Sequence, residues 1–244
     1  MEVLIGMLLS TLLMTGIVQL LSASVAAYRL QLELAQLEES GRYACNVLSK
    51  HINQAGFHHE PWLLSESYTA VTSDALNSIS AKGDQVGLQR MSQLNCYGSE
   101  NPVTGDDGQP QFYLLQTRFR VNAANNLAIT CRYGPDASSL VTQINNFGLV
   151  EGVENMQVLY AEDQDGDAVA DHWVSGRSWQ SEKNLRALKI ALLVSTRKPF
   201  NHASGGNITL LDENIRPPAD GRLRQAITLT SAIHGRSAMA ATTL

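Results

Sequence analysis

Positive charge is scarce in this chain. Eighteen Lys and Arg stand against 23 Asp and Glu, for a net charge of −5. Phosphate-backbone binding needs clustered cations, so nucleic acid is excluded as a partner. Arg216, Arg222, Arg224 and Arg236 do gather near the C-terminus, and we read them as solvent-facing ends of a terminal strand. Cysteine is also rare, at three residues with no Cys-x-x-Cys, which excludes a dithiol redox or zinc motif. No Gly-x-Ser-x-Gly occurs, and Ser204-Gly205-Gly206-Asn207 lacks the lysine of a phosphate loop. With no nucleophile or acid–base set to propose, an exported enzyme is the weakest reading. His51, His58 and His59 have no Cys or Asp at ligand spacing and read as surface residues.

The most local absence is the most informative. Val3 to Tyr28 is a run of 26 residues without one charge. A helix of that length rises about 1.5 Å per residue and crosses a hydrocarbon core of about 30 Å. Glu2 stands alone at its outer end. A carboxylate there needs a partner, which marks it as a functional residue. The run starts too early for the basic n-region of a cleaved signal peptide and ends without a small-residue cleavage site.

From Arg29 the pattern becomes amphipathic, with Leu30, Leu34, Leu37, Cys45, Leu48 and Ile52 on one stripe. Gly56 supplies a stop. The spacing predicts one helix from about Val3 to Ala55. The chain divides into an apolar half (1–28), an amphipathic half (29–56) and a β-rich domain (57–244). Within the domain, strands are expected at Gln85–Met91, Gln111–Val121, Leu127–Tyr133, Gly152–Tyr160, Leu188–Val194 and Leu223–Ile233. An Asn-rich turn at Asn122–Asn126 makes a hairpin of the second and third. His58 to Lys82 reads as an irregular connection. The fold class is α+β, a long helix packed on an antiparallel sheet.

Two features bear on chemistry. Cys96 and Cys131 lie in polar, turn-rich surroundings and are expected to pair, although spacing alone leaves the two pairings with Cys45 open. Asp163, Asp165, Asp167 and Asp171, with the carbonyl of Val169, offer the oxygens that calcium favours. The loop is not an EF-hand, since Ala168 stands at the sixth position and Val174 at the twelfth. Its alternative is a solvated acidic turn. Trp62, Trp173 and Trp179 are core or partner-facing; the sequence does not choose.

Glu2-Val3-Leu4-Ile5-Gly6, an apolar helix, an amphipathic helix and then a β domain resemble a type IV pilin. Leu37-Glu38-Glu39-Ser40-Gly41-Arg42-Tyr43-Ala44 and Leu48 to Phe57 are similar to the PilW group of minor pilins. So are Val158-Leu159-Tyr160 with the aspartates that follow, and Gly221 to Gln225. The resemblance implies a basic leader before the glutamate. Only Met1 precedes Glu2 here, which we read as a truncated or late start. It further implies that Glu2 neutralises the terminal amine of a neighbouring subunit. The protein would begin as a single-pass inner-membrane protein with its domain in the periplasm, then move into the pilus at the cell surface. Its partners would be other minor pilins, the major pilin, the inner-membrane assembly platform and a large tip adhesin. Its role would be to prime pilus assembly, and so to support adhesion and twitching motility. The alternatives are a J-like pseudopilin of type II secretion and a membrane-anchored calcium-binding module.

Overall fold

The computed structural model describes residues 2–60, 68–73, 76–105, 108–176, 178–200 and 206–234. A single helix, α1, runs over Glu2–Gln54. Its first half is apolar on all sides, and four of the hydroxyls within it are turned back on the helix. Ser10, Thr11, Thr15 and Ser22 donate to the carbonyls of Met7, Leu8, Leu12 and Gln19 at 2.8–2.9 Å. These polar groups therefore need no water, as a segment in hydrocarbon requires. Gly56, at φ 79°, ends the helix and gives its N–H to the carbonyl of Gln89 at 2.8 Å.

The second half meets the domain through Leu37, Gly41, Ala44, Leu48 and Ile52. This differs from the expected stripe. Leu34 shares the helical face of Leu37 but is 39% exposed, because burial on that face begins only at Leu37. Gly41 takes a place in the contact because the sheet comes close. A β-carbon there would meet Ile227 Cδ1 at 1.9 Å.

The domain strands are β1 (Leu76–Ser80), β2 (Gly83–Ser92), β3 (Tyr113–Val121), β4 (Asn126–Gly134), β5 (Val141–Glu151), β6 (Val153–Glu162), β7 (His172–Ser175), β8 (Leu185–Ser195), β9 (Ile208–Leu210), β10 (Glu213–Ile215) and β11 (Arg224–Ala232). The main sheet runs β11-β8-β6-β2-β3-β4-β5, with β1 beside β2 and β7 beside β6. All its pairings are antiparallel except β2 with β6, which are parallel and meet at Gly83 and Met156. The sheet is therefore mixed rather than purely antiparallel.

One face of the sheet supplies Leu88, Phe119, Tyr160, Ile190 and Leu192 to a core that also holds Leu48 and Ile52 of the helix. Burying side chains of this size contributes roughly 1.5–3 kcal/mol each. On the opposite face, the β9–β10 hairpin sets Leu210 over Ala191 and Leu193.

Several elements depart from expectation. β5 was not expected, because bulges in its register with β4 break the alternation along Val141–Glu151. The connection after the helix is not wholly irregular, since Val71 bridges Leu88 and β1 pairs with β2. Trp62 and Arg236 lie outside the described residues. Trp179 packs edge-on against the buried ring of Tyr160, with centroids 4.7 Å apart. Trp173, 39% exposed, lies 4.4 Å from the ammonium of Lys189.

Candidate functional site

The apolar half of α1 is uncovered. Val3 is 71% exposed, Leu13 65% and Leu21 64%. A patch this continuous needs lipid or other helices around it. The helix is long and apolar enough to cross a membrane. Glu2 occupies its first turn, exposed, where the helix dipole favours a carboxylate.

Cys96 and Cys131 form a disulfide, with Cα atoms 5.9 Å apart. It ties β4 to the loop after β2. That loop also lies on β5, where Cys96 N–H donates to Gln143 Oε1 at 3.0 Å and Tyr97 Oη donates to the Gln143 carbonyl at 2.6 Å. Cys45 is free and half-buried in the helix. Replacing both Cys96 and Cys131 with serine is expected to cost about 3–4 kcal/mol, the chain-entropy value for a loop of this size. Urea unfolding of the two forms measures it.

The aspartate-rich loop joins β6 to β7. Asp163 is fully buried at its root. Its Oδ1 accepts from Gly166 N–H at 2.7 Å, and its Oδ2 from Ala168 N–H at 3.0 Å. Arg186 of β8 adds its Nε at 2.9 Å and its Nη2 at 2.5 Å to the same Oδ2. Burial alone would raise the pKa of Asp163. The guanidinium and the two amides outweigh it and hold the carboxyl below its ordinary range. Asp163 therefore shapes the loop, with Gly166 and Ala168 at positive φ around it.

The other aspartates serve the same turn. Asp165 Oδ1 accepts from Asp167 N–H at 3.2 Å, and Asp167 Oδ1 from Val169 N–H at 2.7 Å. Asp171 Oδ2 accepts from Gln164 N–H at 2.7 Å. One carboxylate oxygen from each of Asp163, Asp165 and Asp171 lies within 4.8 Å of the others. The structure brings these three together. Asp167 is not one of the three, and its Oδ1 accepts from Val169 N–H.

Arg186 carries no sequence signal for this role, because it lies 23 residues from its partner in a mainly apolar strand. Arg224 corrects the reading of the C-terminal arginines as solvent-facing. Its side chain is only 4% exposed and bonds Glu154 at 2.7 Å and Asp220 at 2.8 Å. Opposing carboxylates drew it inward, and Glu154, 70 residues away, was not legible as its partner from spacing.

The model of the family PilW, Type IV Pilus-assembly protein W, matches residues 120–234. No curated protein matches the chain in sequence. Among solved structures, the type IV-like pilin TTHA1219 from Thermus thermophilus is similar, with a TM-score of 0.54 at 19% identity. The match covers 82% of this chain and 96% of that one. At that identity the likeness carries the fold, a long N-terminal helix on a many-stranded sheet. The PilW family model thus matches residues 120–234, just under half of the chain, and the chain as a whole shares the fold of a type IV-like pilin.

Proposed function

We propose that this protein is a minor pilin that primes type IV pilus assembly at the filament tip and through it supports adhesion and twitching motility. The observation that carries this reading is the continuity of α1. An uncovered apolar half passes without a break into a half docked on the domain. The apolar half first crosses the inner membrane, with the domain in the periplasm. It then exchanges lipid for the helices of other minor pilins and the major pilin at the assembly platform. A large tip adhesin is the outermost partner. The test is immunodetection in sheared filaments. The chain should be present there in trace amounts relative to the major subunit; confinement to the membrane fraction would remove the proposal.

A second reading concerns the loop after β6. The convergence of Asp163, Asp165 and Asp171 supports a divalent cation, with calcium the best match to all-oxygen ligands. Affinity should be weak, since Arg186 already balances Asp163. Calorimetry of the full chain in micelles should give a calcium isotherm that Asp165→Ala abolishes. Equal heats from both proteins would refute it.

A further inference from the structure

The sheet face turned away from α1 carries an open cavity of about 390 Å³. Its place follows from strand alternation. Phe119 of β3 points into the core, so Leu114 and Gln116 face the other way. Loop residue Thr72, the turn at Asp136 and the 3-10 turn at Glu182 form the rest of the rim.

The polar groups around this cavity offer mainly acceptors that no described residue pairs with, and one buried hydroxyl. Gln89 gives its Nε2 to the Thr69 carbonyl at 2.7 Å, and Gln116 gives its own to Gln89 Oε1 at 3.0 Å. That fixes both amides and leaves Gln116 Oε1 without a partner among the described residues. Asp136 spends Oδ1 on Ser138 and Ser139 and has no bond at Oδ2. Glu182 has no side-chain hydrogen bond or ion pair among the described residues. Thr72 is 7% exposed, and its hydroxyl is buried with no partner. A buried polar group left unpaired is costly, so each such group asks for an explanation.

The chemistry narrows the ligand. No lysine or arginine is among the residues lining the cavity itself, Arg118 and Arg132 belonging to the small recess beside it, and the carboxylates of Asp136 and Glu182 at its rim disfavour phosphate or a carboxylic acid. Asp136 and Glu182 do not converge as ligands with a third such group, so a metal is not favoured. An excess of acceptors calls for a neutral ligand with several O–H donors. Buried Leu114 calls for one apolar face. Pyranoses offer both: equatorial hydroxyls around the ring edge and a C–H face. The volume lies at the small end of ligand pockets, which run from about 300 to 1,000 Å³, and suits one or two rings.

We propose that this cavity is a binding site for a neutral sugar unit of a surface glycan. In a filament with α1 inside, the cavity faces outward. The proposal rests on the pilin reading for that setting alone, and its test involves no filament.

The test is saturation-transfer NMR and calorimetry on the full chain in a sugar-free detergent. The probes are methyl α-D-glucopyranoside, methyl β-D-galactopyranoside, methyl α-D-mannopyranoside and N-acetylglucosamine. At least one should saturate the site with a Kd on the order of 1 mM. Gln116→Ala should weaken it about tenfold. Glu182→Gln, at a rim position that leaves the core untouched, should weaken it by about threefold or more. Lack of saturation by all four sugars, or equal binding by wild type and both variants, would overturn the proposal. So would tighter binding of spermidine at the same residues, which would make the cavity a cation site.

Discussion

Glu2→Ala is expected to lower the amount of this protein in sheared filaments by at least about tenfold, with the membrane-bound amount unchanged. The argument starts from where the carboxylate sits. It lies in the first turn of a helix that carries no other charge until Arg29. In lipid the group remains near the interface, where water and the helix dipole support it. In a filament the same helix is packed among others, and an ionised group without a counter-charge is strongly disfavoured there. By the resemblance to type IV pilins, the terminal amine of a neighbour would be that counter-charge. Membrane insertion depends on the apolar run and should survive; incorporation should not. Glu2→Gln separates charge from shape, since it keeps the size and loses the ion pair. It should behave like alanine. Quantitative immunoblots of sheared and membrane fractions give the ratio. Full incorporation of both variants would mean that Glu2 has no role in assembly.

Gly83→Ala should be the most damaging small substitution in the domain. Gly83 adopts φ 93°, and a β-carbon there would lie 2.1 Å from the carbonyl oxygen of Met156. That oxygen belongs to the backbone and cannot swing away. The residue also stands at the seam of the sheet, because Gly83 with Met156 is the paired position between β2 and β6. The seam is reinforced by Val158 N–H on Asp84 Oδ2 at 2.7 Å and by Met156 N–H on the Lys82 carbonyl at 3.2 Å. Strain from positive φ and the forced parting of the strands should together cost about 2–4 kcal/mol. For a domain of this size that lowers Tm by roughly 5–15 °C. Gly98→Ala provides the control. Gly98 has φ 80° but open space around it, so only the conformational part of the penalty applies. Scanning calorimetry of both variants should separate them clearly. Equal shifts would mean that the seam does not depend on close approach at Gly83.

The parts legible in the sequence are those with a local cause. The 26 uncharged residues and the glycine at position 56 set the helix, and it ends at Gln54. Alternation in Leu223–Ile233 and the Asn-rich turn before Leu127 set β11 and the β3–β4 hairpin. What was not legible depends on distant residues. β5 loses its period to bulges that only its pairing with β4 reveals. The stripe on α1 is offset because the domain covers the helix only from Leu37, and Gly41 earns its place from Ile227 across the interface. The aspartate spacing flagged the loop after β6. It gave no sign that Arg186 would hold Asp163, or that Asp167 would turn to Val169. The cavity on the outer face has no motif at all, because its groups come from five separate stretches of chain.

The central claim, a minor pilin that primes assembly, is tested most directly by surface piliation in a deletion strain, with the retraction motor present and then absent. The account predicts that sheared pili are lost when the motor is present and return in part when it is absent, because priming is slowed rather than abolished. Normal pili in the deletion strain, with failed export of secreted enzymes, would contradict it and point to a pseudopilin.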